Sequence, residues 1–464
     1  MVVRSQYPDV DIPDVTLYDF LFASLHDDDL ERVAVVDGPT GATTTYGALR
    51  AQVDAIAGAF AARGLGVGDV VALHSPNVPA FVSTFHGLLR AGITVTTVNA
   101  LATGEEIGRQ LRASGAKAVL TVSPLLAAAA AGASAAGVTD VIVLDGAEGY
   151  PALADLLSAG APAPDVTLDP RTHLAVLPYS SGTVGLPKGV MLTHRNLVAN
   201  VLQSLPLIGV TRHEVVPAVL PFFHIYGMTV LLNMALYVRA RLVTLPRFDL
   251  AQFLEVIERE RATYLFVAPP IALALAKHPL VDSRDLSSVR VVLSGAAPLD
   301  GALADTVAQR LGTRVVQGYG MSEMSPVSHV VPVDRPDIWS GSIGLLVPNM
   351  EARVVDPATG EERTTGELLC RGPNIMVGYL GDEAAARDAI DADGFLHTGD
   401  IVTVDSFGVF TVVDRLKELI KYKGYQVAPA ELEALLLRHP LSAEVEHNSS
   451  LVARVLGGDD PPAR

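Results

Sequence analysis

The chain has 464 residues, 49% of them hydrophobic, with one cysteine and a formal net charge of −17 at pH 7. That length supports two or more domains around a large core without disulfides or a structural metal, and the single Cys370 excludes an internal disulfide or thiolate zinc site and fits a reducing cytoplasm. The acid excess argues against a nucleic-acid partner, which needs a basic face, and reads as a solvated surface.

The N-terminus, MVVRSQYPDVDIPD, has no apolar signal core, so secretion is not expected. From about residue 45 to 320, short β-branched runs alternate with amphipathic segments such as YGALRAQVDAIAGAFAARG; the runs are VVALHS, ITVTTV, AVLTV, VIVL, HLAVL, RLVTL, YLFVA, VRVVLS and TRVVQ. The alternation predicts an α/β fold of two parallel-type sheets covered by helices, with a site beyond the carboxyl ends of strands. LLAAAAAGASAAG at 125–137 predicts a short surface helix and loop. Val215 to Val238 carries no formal charge, but Pro217, Pro221 and His224 argue against a continuous helix in lipid and predict a buried element. From 350 to 413 the runs EARVVD, GELLCRG, DIVTVD and VFTVVD predict a small β-rich subdomain. LKELIKYKGYQVAPAELEALLL follows Arg415 and predicts a Gly-Tyr turn, then a helix whose Leu432, Leu435, Leu436 and Leu437 need covering.

Positive charge rests on 28 arginines and only six lysines, Lys117, Lys188, Lys277, Lys417, Lys421 and Lys423. Each lysine is informative in such a chain, because its compact charge is not replaced by arginine. Lys188 lies in PYSSGTVGLPKGV at 178–190, directly after HLAVL. A strand running into this turn gathers amides, hydroxyls and an ammonium, and its glycines let backbone approach an anion, which reads as a phosphate cradle. It is not the Walker pattern, since Lys188 follows Leu186-Pro187 and precedes Gly189. A Gly/Ser-rich turn alone is also a common surface loop, so the reading depends on partners elsewhere.

Six segments follow in order: PFFHIYGM (221–228), SGAAPL (294–299), QGYGMSE (317–323), GELLCRGPNIMVGY (366–379), FLHTGD (395–400) and VDRLKELIKYKGYQVAPAELE (413–433). Together with the glycine turn they resemble the adenylate-forming superfamily of acyl-CoA synthetases, luciferases and peptide-synthetase adenylation domains. FHIYG with KELIKYKGYQVAPAELE looks most like the 4-coumarate and cinnamate CoA ligases of actinobacterial type.

The resemblance implies a carboxylic acid substrate, ATP with Mg2+, and coenzyme A as co-substrate. It implies that Ser180, Ser181, Gly182, Thr183, Gly185 and Lys188 hold phosphates, with Val184 standing where the family usually has a second threonine. Gly318, Tyr319, Gly320 and Ser322 would serve the nucleotide, Glu323 would carry the metal, and Asp400 with Arg415 would take the ribose. His224 would gate an acyl pocket lined by Tyr226, Gly295, Ala296, Gly320, Pro326 and Val327, where small residues leave room for a flat ring or a slender alkyl chain. Read by itself, His224 also fits a cap on the loop after Pro221. Lys417 would be the hinge, with Lys421 and Gln426 at the adenylate; the three neighbouring lysines also fit an exposed strand edge.

The implied organisation is a large domain over 1–413, comprising 1–349 and the β-rich 350–413, followed by a shortened α+β domain over 414–464. The resemblance stops near Pro440, and no lysine follows Lys423 where the family has a late catalytic one. The tail therefore reads as a frameshift, a truncation or an edited sequence, with residues 434–464 less ordered than the body. Two further readings stay open: a nucleotide or acyl-adenylate binder of low activity, and a medium-chain fatty acyl-CoA ligase. A peptide-synthetase module is disfavoured because no carrier-protein serine motif follows.

Overall fold

The computed structural model describes residues 2–180, 187–416, 420–422 and 425–427. The expectations on Leu432 to Leu437, on the tail 434–464 and on Lys417 lie outside the described residues.

Among the described residues the strands form five sheets. In the largest, Leu174–Val176, Thr94–Val98, Val70–His74, Ala118–Thr121 and Asp140–Val143 run parallel, and Lys188–Thr193 joins antiparallel beside Leu174–Val176. A second sheet carries Tyr264–Val267, Val291–Ser294 and Arg314–Gly320 in parallel, then turns antiparallel through Val327–Val330 and Leu345–Leu346. A third, with Val215–Ala218, Arg241–Thr244 and Val33–Asp37 parallel, is closed by antiparallel Thr43–Thr45. The fourth is wholly antiparallel, in the order Val3–Arg4, Glu351–Val355, Thr365–Arg371, Leu396–Val404, Phe410–Arg415. Ile420–Tyr422 and Tyr425–Val427 form a two-stranded ribbon.

The parallel strands are apolar on both faces because helices cover both faces, as Val71, Leu73, Val95, Leu120 and Val292 illustrate at 0% exposure. LAAAAAGASAA forms the helix Leu126–Ala136, ended by Gly137 in the left-handed region at φ 72°. The uncharged stretch from Val215 is a strand that includes Pro217, a turn after Pro221, a π-type helix Tyr226–Asn233 and one α-helical turn Met234–Tyr237. No helix among the described residues is long and apolar enough to cross a membrane.

The helix His194–Ile208 lies between the sheets and shapes the site. Thr193 ends the strand before it and caps it, accepting the Asn196 N–H at 3.2 Å, while Asn196 Oδ1 accepts the Thr193 N–H at 2.9 Å. Asn196 Nδ2 then donates to the carbonyls of Pro373 (2.8 Å) and Ile375 (2.9 Å), and Asn200 brackets Val327, accepting its N–H at 3.0 Å and donating to its carbonyl at 2.7 Å.

Two buried histidines give the fold a pH signature. Burial holds His329 down to about 3, and burial with the neighbouring His173 holds His194 there also. As pH falls through about 6.5 the unfolded chain takes a proton on each histidine, whereas the folded chain does so only near 3. The unfolded state binds more protons throughout that window, so stability rises with pH, and is lost as pH falls, by up to ~1.4 kcal/mol per pH unit for each histidine. Denaturant unfolding followed between pH 5 and pH 6 is expected to show this slope, and His329→Gln is expected to remove about one proton from it.

Candidate active site

Strand ends from three sheets supply the site. Leu174–Val176 leads into Tyr179–Ser180, where Ser180 pairs in register with Lys188 across the ladder. In the second sheet, Val291–Ser294 ends at Gly295 and Ala296, and Arg314–Gly320 carries Gly318, Tyr319 and Gly320 at its carboxyl end. A single 3-10 turn, Ser322–Met324, then carries Ser322 and Glu323. The antiparallel sheet contributes Asp400 and Arg415, which are register partners.

Lys188 and Glu323 are linked by Tyr379, a residue not singled out from the sequence although it closes the GELLCRGPNIMVGY segment. The Lys188 ammonium stands 5.1 Å from the centre of the Tyr379 ring, and the Tyr379 phenol donates to Glu323 Oε1 at 2.8 Å. Burial, then the adjacent Glu323 carboxylate, push the Tyr379 phenol above its usual range and keep it a donor. Glu323 itself is buried at 5% exposure, and its carbonyl accepts the Met376 N–H at 2.9 Å. The Gly378–Tyr379 strand pairs with Val190 and Met191, so the backbone ladder sets the ring beside the lysine.

Asp400 is held from two sides. Tyr319 donates its phenol to Oδ2 at 2.5 Å, and Arg415 Nε lies 3.2 Å from Oδ1. Burial, then Asp400, raise the Tyr319 phenol well above its ordinary value, so the donor persists at any physiological pH.

Beside Tyr319, which holds Asp400, lies an apolar cleft. His224, Tyr226, Gly295, Ala296, Gly320, Pro326 and Val327 all line it, together with Gly318 and Tyr319. Sequence reasoning missed Ile208, Ile225, Val230, Leu293, Met321 and Val330 in the same wall, because single apolar residues inside buried runs carry no signal of facing a cavity. The reason for the two glycines also differs from the expected one. A Cβ at Gly295 would meet the Tyr226 ring at 3.0 Å, and one at Gly320 would meet the Pro326 carbonyl oxygen at 2.0 Å. Protein already occupies that space, so the glycines serve close packing of the wall and do not leave room for a ring.

His224 caps and lines at once. Its Nδ1 accepts the Tyr226 N–H at 3.3 Å, which places the proton of the neutral ring on Nε2. Desolvation by the surrounding wall holds the imidazole below the ordinary histidine range, although its accessible face toward the cleft limits that effect. Tyr226 donates its phenol to the Leu293 carbonyl at 3.3 Å.

Ser181, Gly182, Thr183 and Gly185 lie outside the described residues, as does Lys417. Lys421 and Gln426 are register partners in the terminal ribbon, where the backbone alone is described.

A cation and a buried carboxylate joined through one aromatic ring, a doubly held aspartate and an apolar cleft thus gather at the strand ends of an α/β fold, where such folds place their ligand sites. The chain belongs to the AMP-binding enzyme family, which it matches over residues 24–380. It is 42% identical over 456 residues to 4-coumarate--CoA ligase 5 of Oryza sativa subsp. japonica, covering 96% of this chain and 84% of that protein. Identity to 4-coumarate--CoA ligase 1 of Solanum tuberosum is 41% over 454 residues, covering 95% and 83%. Among solved structures, ATP-bound MatB from Rhodopseudomonas palustris superposes with a TM-score of 0.83 at 30% identity, covering 92% of this chain and 84% of that one.

Gln317, one residue before Gly318, fixes the cleft's near wall. Its Oε1 accepts the Leu299 N–H at 2.9 Å, and its Nε2 donates to the carbonyls of Leu299 (3.0 Å) and Ser340 (2.5 Å). This clamp holds the turn that contains Ala296, whose φ of 72° is unusual for a residue with a side chain. Gln317→Met keeps the volume and removes all three bonds, so it is expected to lower the unfolding free energy by ~2–3 kcal/mol in urea.

Proposed function

We propose that this chain is an ATP-dependent ligase that activates an aryl carboxylic acid as its acyl-adenylate and passes the acyl group to coenzyme A. The reading favours an acid of the 4-coumarate or cinnamate type. The observation that carries it is the Lys188, Tyr379, Glu323 chain set beside the apolar cleft and Asp400, in a chain 42% identical over 456 residues to a 4-coumarate CoA ligase.

A carboxylate is a poor electrophile at neutral pH, so its oxygen first attacks the α-phosphorus of ATP and pyrophosphate leaves. The thiol sulfur of coenzyme A then attacks the acyl carbonyl, its proton is lost, and AMP leaves. In this reading Lys188, with Ser180, Ser181, Gly182, Thr183 and Gly185, holds the β- and γ-phosphates in line for that departure. Asp400, oriented by Tyr319 and Arg415, accepts the ribose hydroxyls, and Gly318, Tyr319, Gly320 and Ser322 border the nucleotide. His224 and Tyr226 flank the acid, whose ring takes the apolar cleft formed with Gly295, Ala296, Pro326 and Val327.

The donor set suits magnesium. Glu323 is one buried carboxylate at the site. Magnesium favours that arrangement, taking one or two carboxylates and completing its shell with phosphate oxygens and water. When bound, it would supply charge neutralisation on the phosphates.

Residues 1–413 act in this reading as the large domain, and the chain from 414 begins a second one that turns about Lys417 and brings Lys421 and Gln426 to the adenylate. The compartment is the cytoplasm, a reading supported by a single cysteine whose buried thiol burial pushes up to about 12, leaving it inert.

The test is calorimetric titration with ATP alongside pyrophosphate release and acyl-CoA formation from cinnamate or 4-coumarate. Binding of ATP and acid-dependent release, both sensitive to EDTA, are expected. Lys188→Met is expected to lower kcat/KM for ATP on the order of a hundredfold. A chain that neither binds ATP nor releases pyrophosphate would overturn the reading.

A further inference from the structure

The Lys188 ammonium has a second neighbour that the phosphate reading does not use. Its Nζ lies 3.4 Å from Asp382 Oδ2. The other oxygen of that carboxylate, Oδ1, accepts the Ala385 N–H at 2.9 Å as the N-cap of the helix Glu383–Ala389. One oxygen is thus fixed by the helix and the other is turned to the lysine. The backbone is fixed as well: the Leu380 N–H donates to the Gly189 carbonyl at 2.8 Å, and the Asp382 N–H donates to the Tyr379 carbonyl at 3.2 Å. Cation and carboxylate therefore stand on backbone positions tied together by a ladder and a turn. The Ala385 amide, then Lys188, hold the Asp382 carboxyl below its ordinary range, so it is charged at neutral pH.

We propose that Asp382 is a positioning residue that parks Lys188 when no triphosphate is bound, so that ATP entry exchanges a carboxylate for phosphate on one ammonium, and pyrophosphate departure reverses the exchange. The inference rests on the assignment of Lys188 to the phosphates. The geometry suits an exchange and not a permanent lock. Both side chains are about two-fifths exposed, at 40% and 42%, and such pairs are weak. The Tyr379 ring offers the ammonium a second resting surface at 5.1 Å, which keeps the charge near the site as its partner changes.

The test is a double-mutant cycle on ATP binding by calorimetry with the full chain. Asp382→Asn keeps an N-cap, because asparagine caps as well as aspartate does. It is expected to tighten ATP by roughly two- to fivefold, the range set by an exposed ion pair, and to leave AMP, which lacks the β- and γ-phosphates, unchanged. Glu383→Gln removes the same charge one residue along, from a side chain 89% exposed and paired with Arg387, and is expected to leave ATP affinity unchanged. In the Lys188→Met background, Asp382→Asn is expected to have no effect. Equal tightening with and without Lys188 would mean a general field effect and would overturn the proposal, as would unchanged or weaker ATP binding in Asp382→Asn alone. Failure of the unsubstituted chain to bind ATP would instead bring down the functional reading, and this inference with it.

Discussion

Buried carboxamides hold the sheets in the arrangement that makes the site. Asn196 reaches from the helix His194–Ile208 to the carbonyls of Pro373 and Ile375, Asn200 brackets Val327, Gln203 donates to the Pro348 carbonyl at 2.9 Å, and Asn374 donates to the Met324 carbonyl at 2.7 Å. An amide side chain presents a donor and an acceptor side by side, so it can replace a backbone neighbour for a loop that no strand can reach. Removing one leaves buried backbone groups unpaired, which costs more than the bond's net contribution. The helix that carries three of these amides is buried nearly all round, so its polar residues act as connectors and not as a solvated face.

The same connectors explain how Glu323 and Lys188 meet. Asn374 and Ser325 join the loop before Gly378–Tyr379 to the turn that carries Glu323, since the Ser325 hydroxyl donates to the Asn374 carbonyl at 2.8 Å. Gly378–Tyr379 in turn pairs with the strand that begins at Lys188. A cation from one sheet and a carboxylate from another are thereby set against opposite parts of one phenol, face and hydroxyl.

Much of this was legible in the chain because two-sided burial writes an unbroken apolar run. All nine β-branched runs between residues 45 and 320 fall on strands, and the four runs after 350 fall on strands of the antiparallel sheet. What stayed hidden depends on distant pairing. Val33–Asp37 and Val215–Ala218 belong to one sheet only because Arg241–Thr244 lies between them. The sequence pattern places Lys188 within the turn after HLAVL, whereas it opens a strand that pairs with Ser180. Tyr379 and Gln317 sat inside quoted motifs without a role, since a phenol or an amide declares its partner only in three dimensions. The small residues at 295 and 320 were legible as small, but their reason was not: sequence reports an absent side chain without saying what fills the space.

The division of labour between arginine and lysine follows from the same geometry. Arginine in this chain ends helices and locks loops: Arg310 donates to the carbonyls of Ala276 (2.8 Å) and His278 (2.9 Å), Arg239 to those of Leu236 (2.7 Å) and Tyr237 (2.9 Å), and Arg290 pairs with the buried Glu214 at 2.6 Å. A planar fork that engages two acceptors at once is suited to holding and poorly suited to changing partners. Lys188 stands where two alternatives lie within its reach: the Asp382 carboxylate at 3.4 Å and the Tyr379 face at 5.1 Å. An ammonium on a flexible stem can pass between such partners without breaking a paired set of bonds. In the proposed reading, with a net charge of −17 on the chain, that positive point also offsets the repulsion that a polyphosphate meets on approach.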